Sequence, residues 1–117
     1  MDGQNGLSLS IRREGKEVVV CVCGELDLAT SQGLADAIAA AESGVDAEGD
    51  AAECVALDLS GVSFIDTEAC KSLVLIGRGL AAEGRSLRVS RWSEQVEKTV
   101  KLLGLEEELE YGLRSRK

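Results

Sequence analysis

The stretch Leu57-Asp58-Leu59-Ser60-Gly61-Val62-Ser63-Phe64-Ile65-Asp66-Thr67-Glu68 decides how the rest of this chain is read. It predicts a buried strand, taken as Cys54 to Leu59, that turns sharply and delivers acids to the start of a helix. Downstream, Ala69, Leu73, Ile76 and Leu80 recur at helical spacing, which predicts a helix from Thr67 to Glu83 stopped by Gly84. An acid at such a helix opening faces free backbone N–H groups and the positive end of the helix dipole, where added phosphate is also stabilised. The turn is therefore read as a switch or docking point.

Upstream, Leu7, Leu9 and Ile11 alternate with Ser8, Ser10 and Arg12, the period of a half-buried strand, and Arg13-Glu14-Gly15-Lys16 forms a hairpin turn. Glu17 to Cys23 is apolar on both faces, with Val18, Val20 and Val22 against Val19, Cys21 and Cys23, which predicts a strand deep in the sheet ended by Gly24. Leu34, Ile38 and Ala41 then mark a helix from Ala29 to Ala41, capped by Asp27 or Thr30. Residues 42–53 carry five acids and two glycines with almost no bulky apolar side chain, a mobile acidic loop.

Beyond the second helix, Leu87 and Val89 give a short strand, with Trp92 covering the edge of the core. Ser93 offers a cap to a third helix whose Val96, Val100 and Leu103 share a face, and Gly104 ends it. Residues 1–6 and 113–117 are expected to fray. The order strand, strand, helix, strand, helix, strand, helix is a hairpin followed by two right-handed crossovers. It predicts one α/β domain over residues 1–117, with a mixed four- to five-stranded sheet and helices packed on it.

Composition narrows the function. The chain has 117 residues and 44% hydrophobic content, enough for one core. Thirteen basic against 21 acidic residues give a net charge of −8, which repels nucleic acid and anionic membrane and favours a protein partner. With no leader-like start and no apolar run near the ~18 residues of a membrane span, a cytoplasmic protein without membrane insertion is expected. Histidine is absent, which removes the commonest general base, the imidazole metal ligand and every Ser-His or Cys-His nucleophile. No enzyme, cofactor or metal is expected.

The four cysteines lack zinc-knuckle spacing: Cys21 and Cys23 lie two apart on one strand face, Cys54 begins another strand, and Cys70 falls in the first turn of the second helix. Cys70 is the redox candidate, because a thiol near a helix N-terminus has a lowered pKa when exposed. Its spacing also places it on the buried face. Lys71 and Arg78, seven apart, share a side of that helix.

Three motifs in this order and spacing resemble the STAS family, the sulphate transporter and anti-sigma factor antagonist modules: Gly24-Glu25-Leu26-Asp27, the run from Asp58 to Asp66, and Leu102-Leu103-Gly104-Leu105. The resemblance spans nearly the whole length. It implies a non-catalytic module that binds an anti-sigma factor which is also a serine kinase, and that is released when a serine at the helix start is phosphorylated. That serine belongs to a motif reading Asp, two hydroxyl residues, then glycine.

Here Asp66 and Thr67 match its first positions, but Glu68 stands at the acceptor serine and Ala69 at the glycine. Glu68 imitates the phosphorylated state, or holds the module outside kinase control, or leaves Thr67 as acceptor. Insensitivity is preferred, because a helix-start carboxylate contributes ~0.3–1 kcal/mol with no regulatory role. Asp27, Asp66, Thr67, Glu68 and Ala69 form the expected partner-binding site, with Asp27 and Asp66 on one acidic rim. The partner is an anti-sigma factor or serine kinase. Alternatively, the resemblance implies a STAS subunit bracing the ATPase of a lipid-transport system, or part of a chemotaxis or stress complex. The module is expected to be a monomer or weak dimer.

Overall fold

The computed structural model describes residues 7–43 and 52–105, the side chains of Glu42 and Ser43 excepted. Its elements are β1 (Leu7–Glu14), β2 (Glu17–Leu26), α1 (Leu28–Ser43), β3 (Cys54–Ile65), α2 (Thr67–Ala82), β4 (Ser86–Trp92) and α3 (Glu94–Leu103). The fold is α/β. Among the described residues the sheet has four strands in the order β1-β2-β3-β4, with β1 antiparallel to β2 and the other pairs parallel.

Both crossovers run the same way along the sheet, so right-handed connections put α1 and α2 on one face. The core lies there: Val18, Val20 and Val22 of β2 and Val55, Leu57 and Leu59 of β3 meet Leu34 and Ile38 of α1 and Leu73, Val74 and Leu80 of α2. Val96 and Val100 of α3 close the same cluster, with Trp92 packed against it. Leu26, Leu57, Leu59 and Leu73 are essentially without solvent contact.

The opposite face has no helix among the described elements, and charge covers it instead. Arg12 pairs with Glu14, and Arg88 lies 3.2 Å from Glu17. These long side chains bury Val19 and Ala56 beneath them. The apolar character of both faces of β2 is therefore only half used: Val18, Val20 and Val22 are core, whereas Cys21 is half-buried and Cys23 exposed.

Several boundaries differ from the expected ones. β3 does not stop at Leu59 but runs on to Ile65, and β2 passes Gly24 to reach Leu26. Two register shifts allow this. Cys21 pairs with Asp58 but Cys23 with Gly61, and Gly24 pairs with Val62 but Glu25 with Phe64, so β3 twice carries one extra residue. Gly24 sits at φ 114°, a conformation that a side chain resists, which is how the strand continues through a residue expected to end it.

The remaining corrections are smaller. β4 extends from Ser86 to Trp92, and α1 continues to Ser43, so the expected loop starts later than residue 42. Residues 44–51 of that loop, like residues 1–6 and 113–117, lie outside the described residues. Leu103 is 36% exposed and does not share the buried stripe of Val96 and Val100, because it occupies the last helical position, directly before the left-handed Gly104.

Candidate functional site

Parallel pairing aligns the C-terminal ends of β2 and β3, which places the turns into α1 and α2 side by side. The Asp66 N–H donates to the Leu26 carbonyl at 3.2 Å, joining the two turns through the backbone. Asp66 then joins them through its side chain. Its Oδ1 accepts the Ala69 N–H at 2.9 Å, the N-cap bond of α2, and its Oδ2 accepts the Leu28 N–H at 3.3 Å, at the first residue of α1. One carboxylate thus serves both helix starts, each a positive dipole end.

Asp27 is organised differently. Its Oδ1 accepts the Thr30 N–H at 3.0 Å, while the Asp27 N–H donates to Thr30 Oγ1 at 2.9 Å. This is a reciprocal capping arrangement in which threonine occupies the position usually held by Glu or Gln. Thr30 Oγ1 also donates to the Glu25 carbonyl at 3.0 Å, and Thr30 is only 4% exposed, so the group is closed on itself. Of the two expected caps, Asp27 caps α1 and Thr30 supports it.

Thr67 and Glu68 occupy the first turn of α2 and both are exposed. Glu68 lies 4.0 Å from Lys71 one turn on, a solvated pair of little energetic weight. Two apolar side chains are exposed in or next to these turns, Leu28 at 65%, the first residue of α1, and Phe64 at 44%, two residues before Asp66. Sequence reasoning did not select either. The signal for Leu28 was present, since it lies six residues before Leu34 and so about 120° from the buried stripe of α1. Phe64 carried no such signal, because its direction follows from the second register shift.

Two expected site residues fall elsewhere. Ala69 is fully buried, so its side chain is not available to a partner; its N–H completes the Asp66 cap. Cys70 is also fully buried. Burial first, and the Asp66 charge second, push its thiol up to about 11, the reverse of the reactive thiol expected at a helix start. Lys71 and Arg78 do share a side of α2, where they flank a groove of about 290 Å³ floored by Val74, Leu75 and Leu105. Among the described residues no group of cysteine and carboxylate side chains is arranged to hold a metal, and no helix is long and apolar enough to cross a membrane.

Known proteins place the fold. The family model described as "Mlab, STAS domain" matches residues 9–114, nearly the whole chain, and the protein belongs to the STAS family. An anti-sigma factor antagonist from Mycobacterium paratuberculosis has a similar structure, with a TM-score of 0.72 at 23% identity over 92% of this chain and 86% of that one. The anti-sigma factor antagonist SpoIIAA in its unphosphorylated form gives 0.67 at 21% identity over 84% of this chain and 82% of that one. A STAS-domain antagonist from Rhodobacter sphaeroides gives 0.53 at 18% identity over 80% and 90%. At these identities the shared property is the fold. No curated protein sequence matches the chain.

Proposed function

We propose that this protein is a non-catalytic regulatory module that binds a protein partner at the paired turns, as an anti-sigma factor antagonist does. The observation that carries the reading is the Asp66 carboxylate, which bonds to both helix starts where Leu28, Thr67 and Glu68 are exposed, with exposed Phe64 two residues before it. Glu25 is exposed beside it. Such a surface suits a partner that offers cationic side chains around an apolar seat.

Glu68 makes the module insensitive to a serine kinase. A carboxylate offers no hydroxyl to phosphorylate and carries one charge, whereas a phosphoryl group carries about −1.5 to −2. Thr67 is exposed, but phosphate on it would sit between Asp66 and Glu68 with Lys71 as the nearby cation, a repulsive setting. The partner is then gained or lost by other means than phosphorylation at this turn.

A second reading, a STAS subunit that braces a transporter ATPase, is favoured by Asp66-Thr67 and by the description of the matching family model as Mlab. One experiment separates the two. Tagged protein is recovered from its own cells and the co-purifying proteins are identified by mass spectrometry, with phosphopeptide mapping across residues 66–71. A kinase-like anti-sigma ATPase with no phosphate at Thr67 supports the first reading; a transporter ATPase replaces it with the second. Wild-type capture that survives Leu28→Asp and Phe64→Asp overturns the rim as the docking surface.

A further inference from the structure

The sheet is open along β1. Among the described residues no strand pairs with β1 on the side away from β2. The hairpin closes on the pair Glu14 and Glu17 around a two-residue turn, so Glu14 directs its N–H and C=O at β2. The alternate residues Arg13, Ile11, Leu9 and Leu7 direct theirs outward. An edge of this kind is ordinarily blunted by charge, by proline or by a covering element. On β1 the charges, Arg12, Arg13 and Glu14, stand only at the hairpin end.

The side chains at the other end are apolar and incompletely covered. Leu9 and Ile11 lie opposite the core residues Val22 and Val20, so Leu7, Leu9 and Ile11 point to the helix face. Leu7 and Leu9 are half-buried, and Ile11 is 47% exposed. Between this stripe and α1 runs a groove of about 150 Å³ lined by Leu7, Leu9, Ala29, Thr30 and Gly33. Its helix wall is low, because Ala29 is small and a Cβ on Gly33 would meet nothing within 4 Å.

The order of residues along the edge selects what fits it. A second β1 laid antiparallel about a two-fold axis at Leu9 sets Leu9 opposite its own copy, Leu7 opposite Ile11 and Ser8 opposite Ser10. Every position then matches apolar with apolar or hydroxyl with hydroxyl, and each outward N–H has a carbonyl across from it. Arg12 and Arg13 fall outside the pairing. Moving the axis to Ser10 sets Arg13 against Leu7 and Arg12 against Ser8, and moving it to Ile11 sets Arg13 against Leu9, so the register is specified.

We propose that the β1 edge is a self-pairing surface: two copies of this chain join antiparallel through residues 7–11 into one continuous sheet, with Ile11 of each copy over the groove beside Leu7, Ala29 and Gly33 of the other. A pairing this short falls below the ~1,200 Å² at which stable interfaces begin, so the dimer is weak and depends on concentration. It leaves both pairs of helix-start turns open, at opposite ends of the joined sheet, and does not depend on what binds there.

The test is sedimentation velocity of the full chain, kept reduced, from about 10 µM to about 1 mM. The expected result is a mass that rises with concentration towards that of a dimer. Two double variants at the exposed Ser8 and Ser10, on the opposite face from the apolar stripe, check the register. Ser8→Lys with Ser10→Lys sets like charges against each other and should weaken association about two- to thirtyfold, whereas Ser8→Lys with Ser10→Glu sets opposite charges together and should strengthen it by a similar factor. With the axis at Ser10 the second variant would instead oppose carboxylate to carboxylate and ammonium to Arg12. Circular dichroism checks that both variants fold. A monomer across the whole range, a dimer indifferent to both variants, or weakening by the second would overturn the proposal.

Discussion

The two acid-capped turns stand next to each other and use the same residue type, yet they are built on different plans. Asp27 bonds only within its own turn, its side chain to Thr30, and the group it forms is half-buried around the buried Thr30. Asp66 bonds outward as well as inward, spending one oxygen on α2 and the other on α1, 38 residues away in sequence. The first turn is a local device; the second is a joint between two supersecondary units. A joint under exposed side chains is where a docked partner can be felt by more than one helix.

The comparison breaks most readily at Asp66. Asp66→Ala removes a cap and a second charge-assisted bond, and urea denaturation should show a loss of about 2–3 kcal/mol. A loss no larger than that of Asp27→Ala would mean that the Leu28 bond contributes nothing. Asp27→Ala should cost about 1 kcal/mol, since it removes a cap and leaves the buried Thr30 hydroxyl its bond to Glu25. The double variant sharpens the distinction: additivity within ~0.5 kcal/mol keeps the turns independent, and a larger deviation makes them one network.

Two further expectations concern the first turn of α2. Burial raises the Cys70 thiol from about 9 to about 11, so the unfolded chain ionises first and stability falls as pH rises from about 9 towards about 11. Thermal melts from pH 8 to 10 should therefore show a smaller alkaline loss in Cys70→Ala than in the wild type, after allowance for the cavity. Glu68→Gln is expected to change stability least, by under ~0.5 kcal/mol, because its partner Lys71 and the helix start are both solvated. A larger loss would make Glu68 part of the joint rather than a side chain displayed by it.

Much of this architecture was legible in the residues. Apolar periodicity located each described strand and helix, and Asp66, Ser93 and Gly104 act at the helix ends where their chemistry put them. The length of β3 was not legible, because Ser60-Gly61 reads as a turn and only pairing with β2 shows that it is a bulge within a strand. For the same reason Phe64 and Ile65, expected in a loop, divide between solvent and core. Cys70 shows a different limit: helix position and burial pull its thiol in opposite directions, and burial, the larger effect, depends on packing that local spacing describes only in part.

The strand order has a kinetic consequence. Because β1, β2, β3 and β4 lie in the sheet in the order in which they occur in the chain, no strand has to be inserted between two that are already paired. The hairpin of β1 and β2, with Gly15 at φ 64° in its two-residue turn, is the most local pairing in the sheet and closes the shortest loop. Each later strand then meets a finished edge, and the sheet grows from one side only. The Asp66 joint needs only β2, β3 and the first turns of α1 and α2, so the rim is built from the middle of the sheet and β4 and α3 add to its far side.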